Sequence, residues 1–250
     1  MSVQESKTDQ TCAYVWASAS ESAAYLLRSD GTVDRTTGKG IVNQRMVPPT
    51  GTEYVAVDAG YHCAYLVRSD GAVDRTTSGG KITSTLTPPA GTKYTAASSG
   101  ESVSYLLRDD GKVDRVTGKG TVTKTIDPPE RCMYVAVSAG EEQSYLVRSD
   151  GIINRTVHKG DIQKSISSPS GSPYVGVSSQ VVMYVSHGQY GGHFEGNDAN
   201  YLLRADGGAD RTKTKGEISE ELMCDAGLDI KYVQASGGIS ASYLVRSDGK

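Results

Sequence analysis

"YLLRSDGTVDR", residues 25–35, returns as "YLVRSDGAVDR" from Tyr65, "YLLRDDGKVDR" from Tyr105, "YLVRSDGIINR" from Tyr145 and "YLLRADGGADR" from Tyr201. A shorter copy, "YLVRSDGK", starts at Tyr243. The leading tyrosines are 40, 40, 40, 56 and 42 residues apart, a period that suits propeller blades and not ankyrin or tetratricopeptide units. Nothing within a unit reads as a helix. In the second unit "YVAVDAG" (Tyr54–Gly60) is β-rich, and "AYLVRSDGAVDRT" (Ala64–Thr76) reads as two strands around Ser-Asp-Gly. "KITSTL" (Lys81–Leu86) is a fourth short strand before "TPPAGT".

Glycine adopts positive φ without a Cβ penalty, so the Asp-Gly step suits a tight hairpin whose twist matches its strands. With Ser-Asp-Gly as a three-residue loop, Leu27 faces Val33 and Tyr25 faces Arg35 on one side of the first hairpin. Leu26, Arg28 and Asp34 share the other. A sheet that mixes apolar and charged groups on both faces fits poorly in a two-layer sandwich and well between two neighbouring blades. Proline pairs at Pro48-Pro49, Pro88-Pro89 and Pro128-Pro129 lack amide donors and stop each unit.

The expected architecture is therefore all-β: one propeller domain over residues 1–250 with six blades of four antiparallel strands, A to D, around an axis. Units open near Tyr14, Tyr54, Tyr94, Tyr134, Tyr174 and Tyr232. The last unit reaches Lys250 with strands A and B only, so Ser2–Ser6 is expected to pair into it and close the ring, in a blade of three or four strands. The alternative is a native polypeptide that continues past Lys250.

Composition agrees with thin sheets and no single massive core: the apolar share is 37%, with 29 glycines and 15 tyrosines against one Phe and one Trp. A net charge of −3, from 26 basic and 29 acidic residues, gives no global attraction to nucleic acid or an anionic membrane. The start "MSVQESKTDQTC" has no basic segment followed by an apolar run, and no stretch approaches the ~20 apolar residues of a membrane span. Cys12, Cys63, Cys132 and Cys224 show no C-x-x-C and no paired metal spacing. Cys12 and Cys132 hold equivalent positions three units apart, too distant in a ring for a disulfide. Reduced thiols and a cytoplasmic or nuclear setting are expected, in a monomer.

"SAGEEQSYLVRSDG" (Ser138–Gly151) resembles the repeat of the regulator of chromosome condensation family, which runs Ala-Gly-x-x-His-Ser, an aliphatic strand, then Ser-Asp-Gly. Gln143 stands at the family's histidine, and Cys63 does so in "DAGYHCAYLVRSDG". The likeness covers the chain unit by unit. Departures are the family's Trp-Gly, replaced here by Asp-Arg-Thr, a shorter unit, and six units for the usual seven. The resemblance implies a binding propeller. The family spans nucleotide-exchange factors that dock on chromatin, ubiquitin-ligase scaffolds, a photoreceptor and an enzyme inhibitor, so it names no activity.

Catalytic signatures are missing from the sequence. "TGKG" lacks P-loop spacing, no G-x-S-x-G elbow occurs, and the Asp-Gly turns lack the oxygen series of a calcium loop. "NRT" at Asn154 matches a glycosylation acceptor but falls in a strand. The recurring pairs Asp34/Arg35, Asp74/Arg75, Asp114/Arg115 and Asp210/Arg211, with Asn154/Arg155, have two readings. Either they cross-link strands and blades, the favoured reading, or they form the equivalent sugar sites of a multivalent carbohydrate-binding lectin. No enzyme, cofactor or metal is expected.

Groups present in every unit do what every unit needs, so recognition is sought where units differ. The AB and CD loops share one face of the disc, and the AB loops all differ: Glu21-Ser22, Tyr61-His62, Glu101-Ser102, Glu141-Glu142, then an insertion within 178–200, then Gly238-Ile239. The insertion holds Tyr184, His187, Tyr190, His193, Phe194 and Glu195. An aromatic partner-binding loop, or an inert excursion packed over the disc, is favoured there over a metal site from His187, His193 and Glu195, because the glycines around them provide no fixed scaffold. The CD turns present Lys39, Lys119, Lys159 and Lys215, a series broken by Gly79, either as a basic ring for an anionic partner or, the favoured reading, as solvated turn lysines near the AB-loop glutamates. The expected function is a non-catalytic scaffold that binds a protein partner through this face.

Overall fold

The computed structural model describes residues 12–20, 23–100, 103–140, 143–157, 159–178, 200–213, 215–224, 230–237 and 242–248. Among them there are strands and no helix. The first sheet is β1 (Tyr14–Ala19), β2 (Ala24–Arg28), β3 (Val33–Thr36) and β4 (Val42–Met46). The second is β5 (Tyr54–Ala59), β6 (Ala64–Arg68), β7 (Val73–Thr76) and β8 (Ile82–Leu86). The third is β9 (Tyr94–Ser99), β10 (Val103–Arg108), β11 (Val113–Thr117) and β12 (Val122–Ile126). The fourth is β13 (Tyr134–Ala139), β14 (Gln143–Arg148), β15 (Ile153–Val157) and β16 (Ile162–Ile166). The fifth is β17 (Tyr174–Ser178), β18 (Asn200–Arg204), β19 (Ala209–Thr212) and β20 (Ile218–Leu222). A two-stranded sheet, β21 (Tyr232–Gly237) and β22 (Ser242–Arg246), follows.

Each four-stranded sheet is an antiparallel A-B-C-D meander. The first-strand series β1, β5, β9, β13, β17 and β21 runs neighbour to neighbour, so the A strands line the axis and the D strands form the outer edge. The expected hairpin register holds: Tyr25 lies opposite Arg35, Leu26 opposite Asp34 and Leu27 opposite Val33. Arg28 N–H donates to Thr32 C=O at 2.9 Å, which leaves Ser29-Asp30-Gly31 as the loop, with Gly31 at φ 75°. The expected pairing of Ser2–Ser6 lies outside the described residues.

Among the described residues no single core forms; four apolar clusters each lie between two successive sheets. In the first, Tyr25, Leu27, Val33 and Met46 of one blade meet Tyr54, Val57, Ala64 and Leu66 of the next. In the second, third and fourth sheets apolar residues on both faces are thereby buried, each contributing roughly 1.5–3 kcal/mol. Polar stitches tie the same seams in the middle: Tyr25 Oη meets Thr76 Oγ1 at 3.2 Å, Tyr105 meets Thr156 at 3.2 Å, and Tyr145 meets Thr212 at 3.4 Å. The seam between the second and third blades breaks the pattern, because Val116 replaces that threonine and the buried Tyr65 Oη is left without a hydrogen-bond partner. Burial raises the Tyr65 pKa, and the nearby Ser104 and Arg75 only partly oppose it.

Val116→Thr is therefore expected to stabilise the chain by about 1 kcal/mol, seen as a melting temperature higher by roughly 2–4 °C. The new hydroxyl would serve Tyr65 as Thr76 serves Tyr25. An unchanged or lower melting temperature would remove this account of the seam.

Candidate functional site

What each repeat residue does defines what is left for recognition. On the face of the BC turns, the amide of the first A-strand tyrosine donates to the turn glycine of the preceding blade. Tyr54 N bonds Gly31 O, Tyr94 N bonds Gly71 O, Tyr134 N bonds Gly111 O, Tyr174 N bonds Gly151 O and Tyr232 N bonds Gly207 O, at 2.9–3.0 Å. The incoming residue packs so closely that a Cβ on Gly111 would lie 2.6 Å from Met133 Cβ. Ser-Asp-Gly is thus both a hairpin turn and the seat of the next blade.

The Asp-Arg pairs divide their work. Asp34, Asp74, Asp114 and Asp210 are at most 2% exposed, and each is a hub inside its own blade. Asp74 accepts from Tyr54 Oη at 2.9 Å on strand A and from Thr85 Oγ1 at 2.6 Å on strand D. Asp34 accepts from Tyr14 Oη at 3.0 Å and from Arg45 Nε at 2.7 Å. The Arg45 hydrogen bond lowers the Asp34 pKa against the opposing effect of burial. The arginines reach across the seam: Arg35 Nη2 donates to Ser78 C=O at 2.5 Å, and Arg75 donates to Gly118 C=O. Beside them Gln44 Nε2 donates to Gly80 C=O at 3.2 Å, and Lys124 Nζ to Gly160 C=O at 3.1 Å. Strand and blade cross-linking accounts for these pairs, and the carboxylates present no exposed surface to a sugar.

Near the axis, one side-chain oxygen per blade caps an amide of the next. Ser18 Oγ accepts from Ala59 N at 2.9 Å, and Ser98 Oγ accepts from Ala139 N at 2.9 Å. Asp58 holds the same place and accepts from Ser99 N at 2.6 Å and from Ser18 Oγ at 3.4 Å, joining three blades. Burial raises its pKa, while the Ser99 amide and the Ser99 and Ser18 hydroxyls oppose the rise. The sequence carried a signal for this residue, an Asp where Ser18, Ser98, Ser138, Ser178 and Ser236 recur, but its axial position made sense only in three dimensions.

A carboxyl whose folded pKa is raised favours the folded state below the ordinary Asp range. That contribution is lost as pH rises through the folded pKa. Asp58→Ser is therefore expected to stabilise the chain at pH 7, on the order of 1 kcal/mol. The gain over the parent should shrink as the melt is repeated toward about pH 4. A loss of stability at pH 7 that fades toward about pH 4 would show instead that the carboxylate form is needed.

On the AB/CD face, the described residues include Tyr61, half-buried, and His62, exposed, whose rings meet edge to face at 4.4 Å and 84° in the AB turn. Lys39, Lys119, Lys159 and Lys215 are all exposed in CD turns. Tyr184, His187, Tyr190, His193, Phe194 and Glu195 lie outside the described residues. Among the described residues no group of three or more His, Cys, Asp or Glu is placed to hold a metal ion. The four cysteines are free, and no described helix is long and apolar enough to cross a membrane.

No protein-family model and no curated protein matches the sequence. Solved structures do match the fold. Human WBSCR16 superposes with a TM-score of 0.67 at 10% identity, over 97% of this chain and 75% of that one. Yeast RCC1 (Prp20), solved bound to Kap60, gives 0.66 at 13% identity over 93% and 66%. Catalytically inactive virginiamycin B lyase from Staphylococcus aureus, solved with quinupristin, gives 0.63 at 14% identity over 90% and 74%. At such identities the likeness concerns the fold, and the same fold carries both a partner-bound protein and a lyase. Meander sheets, A strands at the axis and seams stitched by Ser-Asp-Gly agree with these superpositions: the chain has a β-propeller fold.

Proposed function

We propose that the chain is a non-catalytic scaffold that docks a protein partner on the face of its AB and CD turns, with the 178–200 insertion as the main contact and Tyr61 and His62 as further contacts. The observation that carries this reading is the division of labour within the repeat. The recurring Asp, Arg, Tyr and Gly are engaged inside their own blades or across the seams, whereas residues that differ between units gather in the AB loops. Variable loops on a rigid frame are the usual place for recognition. The neighbour bound to Kap60 supports a protein partner by analogy of fold. We read six blades in a closed ring, a monomer, and a cytoplasmic or nuclear setting as parts of the same proposal.

Shortening residues 180–196 to the eleven-residue spacing of the other units is expected to abolish capture of the partner from an extract while leaving the melting temperature within about 2 °C, a shift worth under 1 kcal/mol. Undiminished capture would refute the proposal. The second reading, a lectin with equivalent sites between blades, requires several glycans bound per chain on an array and indifference to the shortened loop.

A further inference from the structure

The turn lysines were found through equivalence, but the structure sets them beside a second ring of residues. The first D-strand residue of blades one to four is aliphatic and exposed: Val42 at 46%, Ile82 at 39%, Val122 at 42% and Ile162 at 44%. The third D-strand residue points to the CD turn of the following blade, as Gln44 to Gly80 and Lys124 to Gly160 demonstrate. A β-bulge separates the two: the third residue pairs with the strand-C arginine and the first with the residue after it, as Gln44 with Arg35 and Val42 with Thr36. The first residue thus leaves on the opposite face, the one toward the preceding blade. Each exposed aliphatic side chain therefore stands on the outer strand directly after its own CD turn. Those turns present Lys39, Lys119 and Lys159, all exposed, and in the second blade Lys81 supplies the cation that Gly79 omits.

Around the rim the order is Lys39, Val42, Lys81, Ile82, Lys119, Val122, Lys159, Ile162. Segments 35–46, 75–86, 115–126 and 155–166 hold three, two, three and three Lys or Arg residues and one acidic residue, Asp161. Asp161 is paired with Lys124 at 2.6 Å. The fifth blade ends the pattern, since Glu217, Glu220 and Glu221 offset Arg211, Lys213 and Lys215 in 211–222. The result is a basic crescent over four blades of a chain whose net charge is −3.

We infer that this crescent binds an extended acidic protein segment in which carboxylate and aliphatic side chains alternate. Alternation decides the class of partner. A nucleic-acid backbone would be met by cations and stacking aromatics, but every second group on this rim is a β-branched aliphatic that offers a phosphate nothing. An acidic segment with Val, Ile or Leu between its carboxylates satisfies both sets, and the negative potential steers its approach. The D strands also form the outer edge of each sheet, the position from which an extended segment can be followed along the rim. This inference rests on the AB/CD face as the working surface, yet it seats the partner segment on the rim and leaves out Lys215.

The test is fluorescence anisotropy on the full chain at low and moderate salt. The labelled probes are a peptide repeating Glu-Val-Asp-Thr, one of equal length and charge repeating Glu-Gly-Asp-Gly, oligothymidylate, and phosphatidylserine vesicles. Expected is salt-sensitive binding of the first peptide, at least about tenfold tighter than any other probe. It should weaken at least about tenfold when Lys39, Lys81, Lys119 and Lys159 are changed to Glu, and by a similar factor when Val42, Ile82, Val122 and Ile162 are changed to Ser. The milder Lys→Gln set, with its melt recorded, serves if the Glu set does not fold. Equal binding of the glycine peptide, preference for oligothymidylate or vesicles, or no binding overturns the inference. The chain shortened at 180–196 separates the two claims. It should bind the peptide unchanged, whereas loss there with an unaffected lysine set would move the peptide to the insertion and sink the crescent alone.

Discussion

Gly111→Ala is expected to destabilise the chain by about 3 kcal/mol, against about 1 kcal/mol for Gly91→Ala, so that the two melts differ by roughly 4–8 °C. The comparison isolates the seam because both glycines are left-handed, at φ 78° and 79°, and both variants carry the strain of a side chain in that region. At Gly91 the new Cβ meets nothing within 4 Å. At Gly111 it would lie 2.6 Å from Met133 Cβ, 2.8 Å from Cγ and 3.0 Å from the Met133 Cα. A side-chain tip can swing away, but Cα is held by the bond from Tyr134 N to Gly111 O at 2.9 Å. Relief therefore requires the fourth blade to move off the third, breaking a cluster that includes Tyr105, Val113, Tyr134 and Leu146. Equal melts for the two variants would mean that the turn is a local hairpin device and no blade seat.

The second large effect is expected at the blade hub. Asp114 is 2% exposed and accepts from Tyr94 Oη at 2.8 Å and Thr125 Oγ1 at 2.6 Å, with Arg108 Nη1 at 3.8 Å. Burial, then the bond and charge of Asp114, raise the Tyr94 pKa, which keeps the phenol a donor. Asp114→Ala leaves the phenol and the hydroxyl without their acceptor and removes one of the two carboxylates beside the largely buried Arg108, which keeps Asp110, and is expected to cost about 3–5 kcal/mol. Asp114→Asn should cost no more than about 1.5 kcal/mol. The fourth blade already contains that solution: Asn154 Nδ2 donates to Tyr134 Oη at 2.8 Å, and Ser165 Oγ donates to Asn154 Oδ1 at 3.0 Å. Chemical denaturation of the two variants measures the difference, and equal losses would contradict the hub.

Much of the fold was legible because the repeat is punctuated by residues with one physical meaning. Gly after Asp marks the turn, the proline pairs mark the ends of units, and the tyrosine period sets the blade. The hairpin register followed from a three-residue loop alone. Less legible was why Asp and Arg recur. In sequence they are adjacent and look like one pair; in space alternate side chains of strand C leave on opposite faces, so Asp34 turns into its own blade and Arg35 to the next. The exposed aliphatics Val42, Ile82, Val122 and Ile162 look like ordinary strand residues in sequence, since only the sheet order shows that strand D lies at the outer edge. Asp58 was passed over because one carboxylate among recurring serines has no visible partner until neighbouring A strands are brought together. Lys81 escaped notice because it lies two places from its equivalents.

The account rests on one claim, that the repeated residues exist to join successive blades. Residue-resolved amide hydrogen exchange on the native chain tests it most directly. The amides of Tyr54, Tyr94, Tyr134 and Tyr174, whose acceptors all belong to the preceding blade, should be as protected as those of central strand residues such as Leu66 and Leu106, and should exchange with them in a common opening. Fast exchange at these four tyrosines beside slow exchange at the central leucines would mean that the blades fold as separate beads, and the seams described above would be wrong.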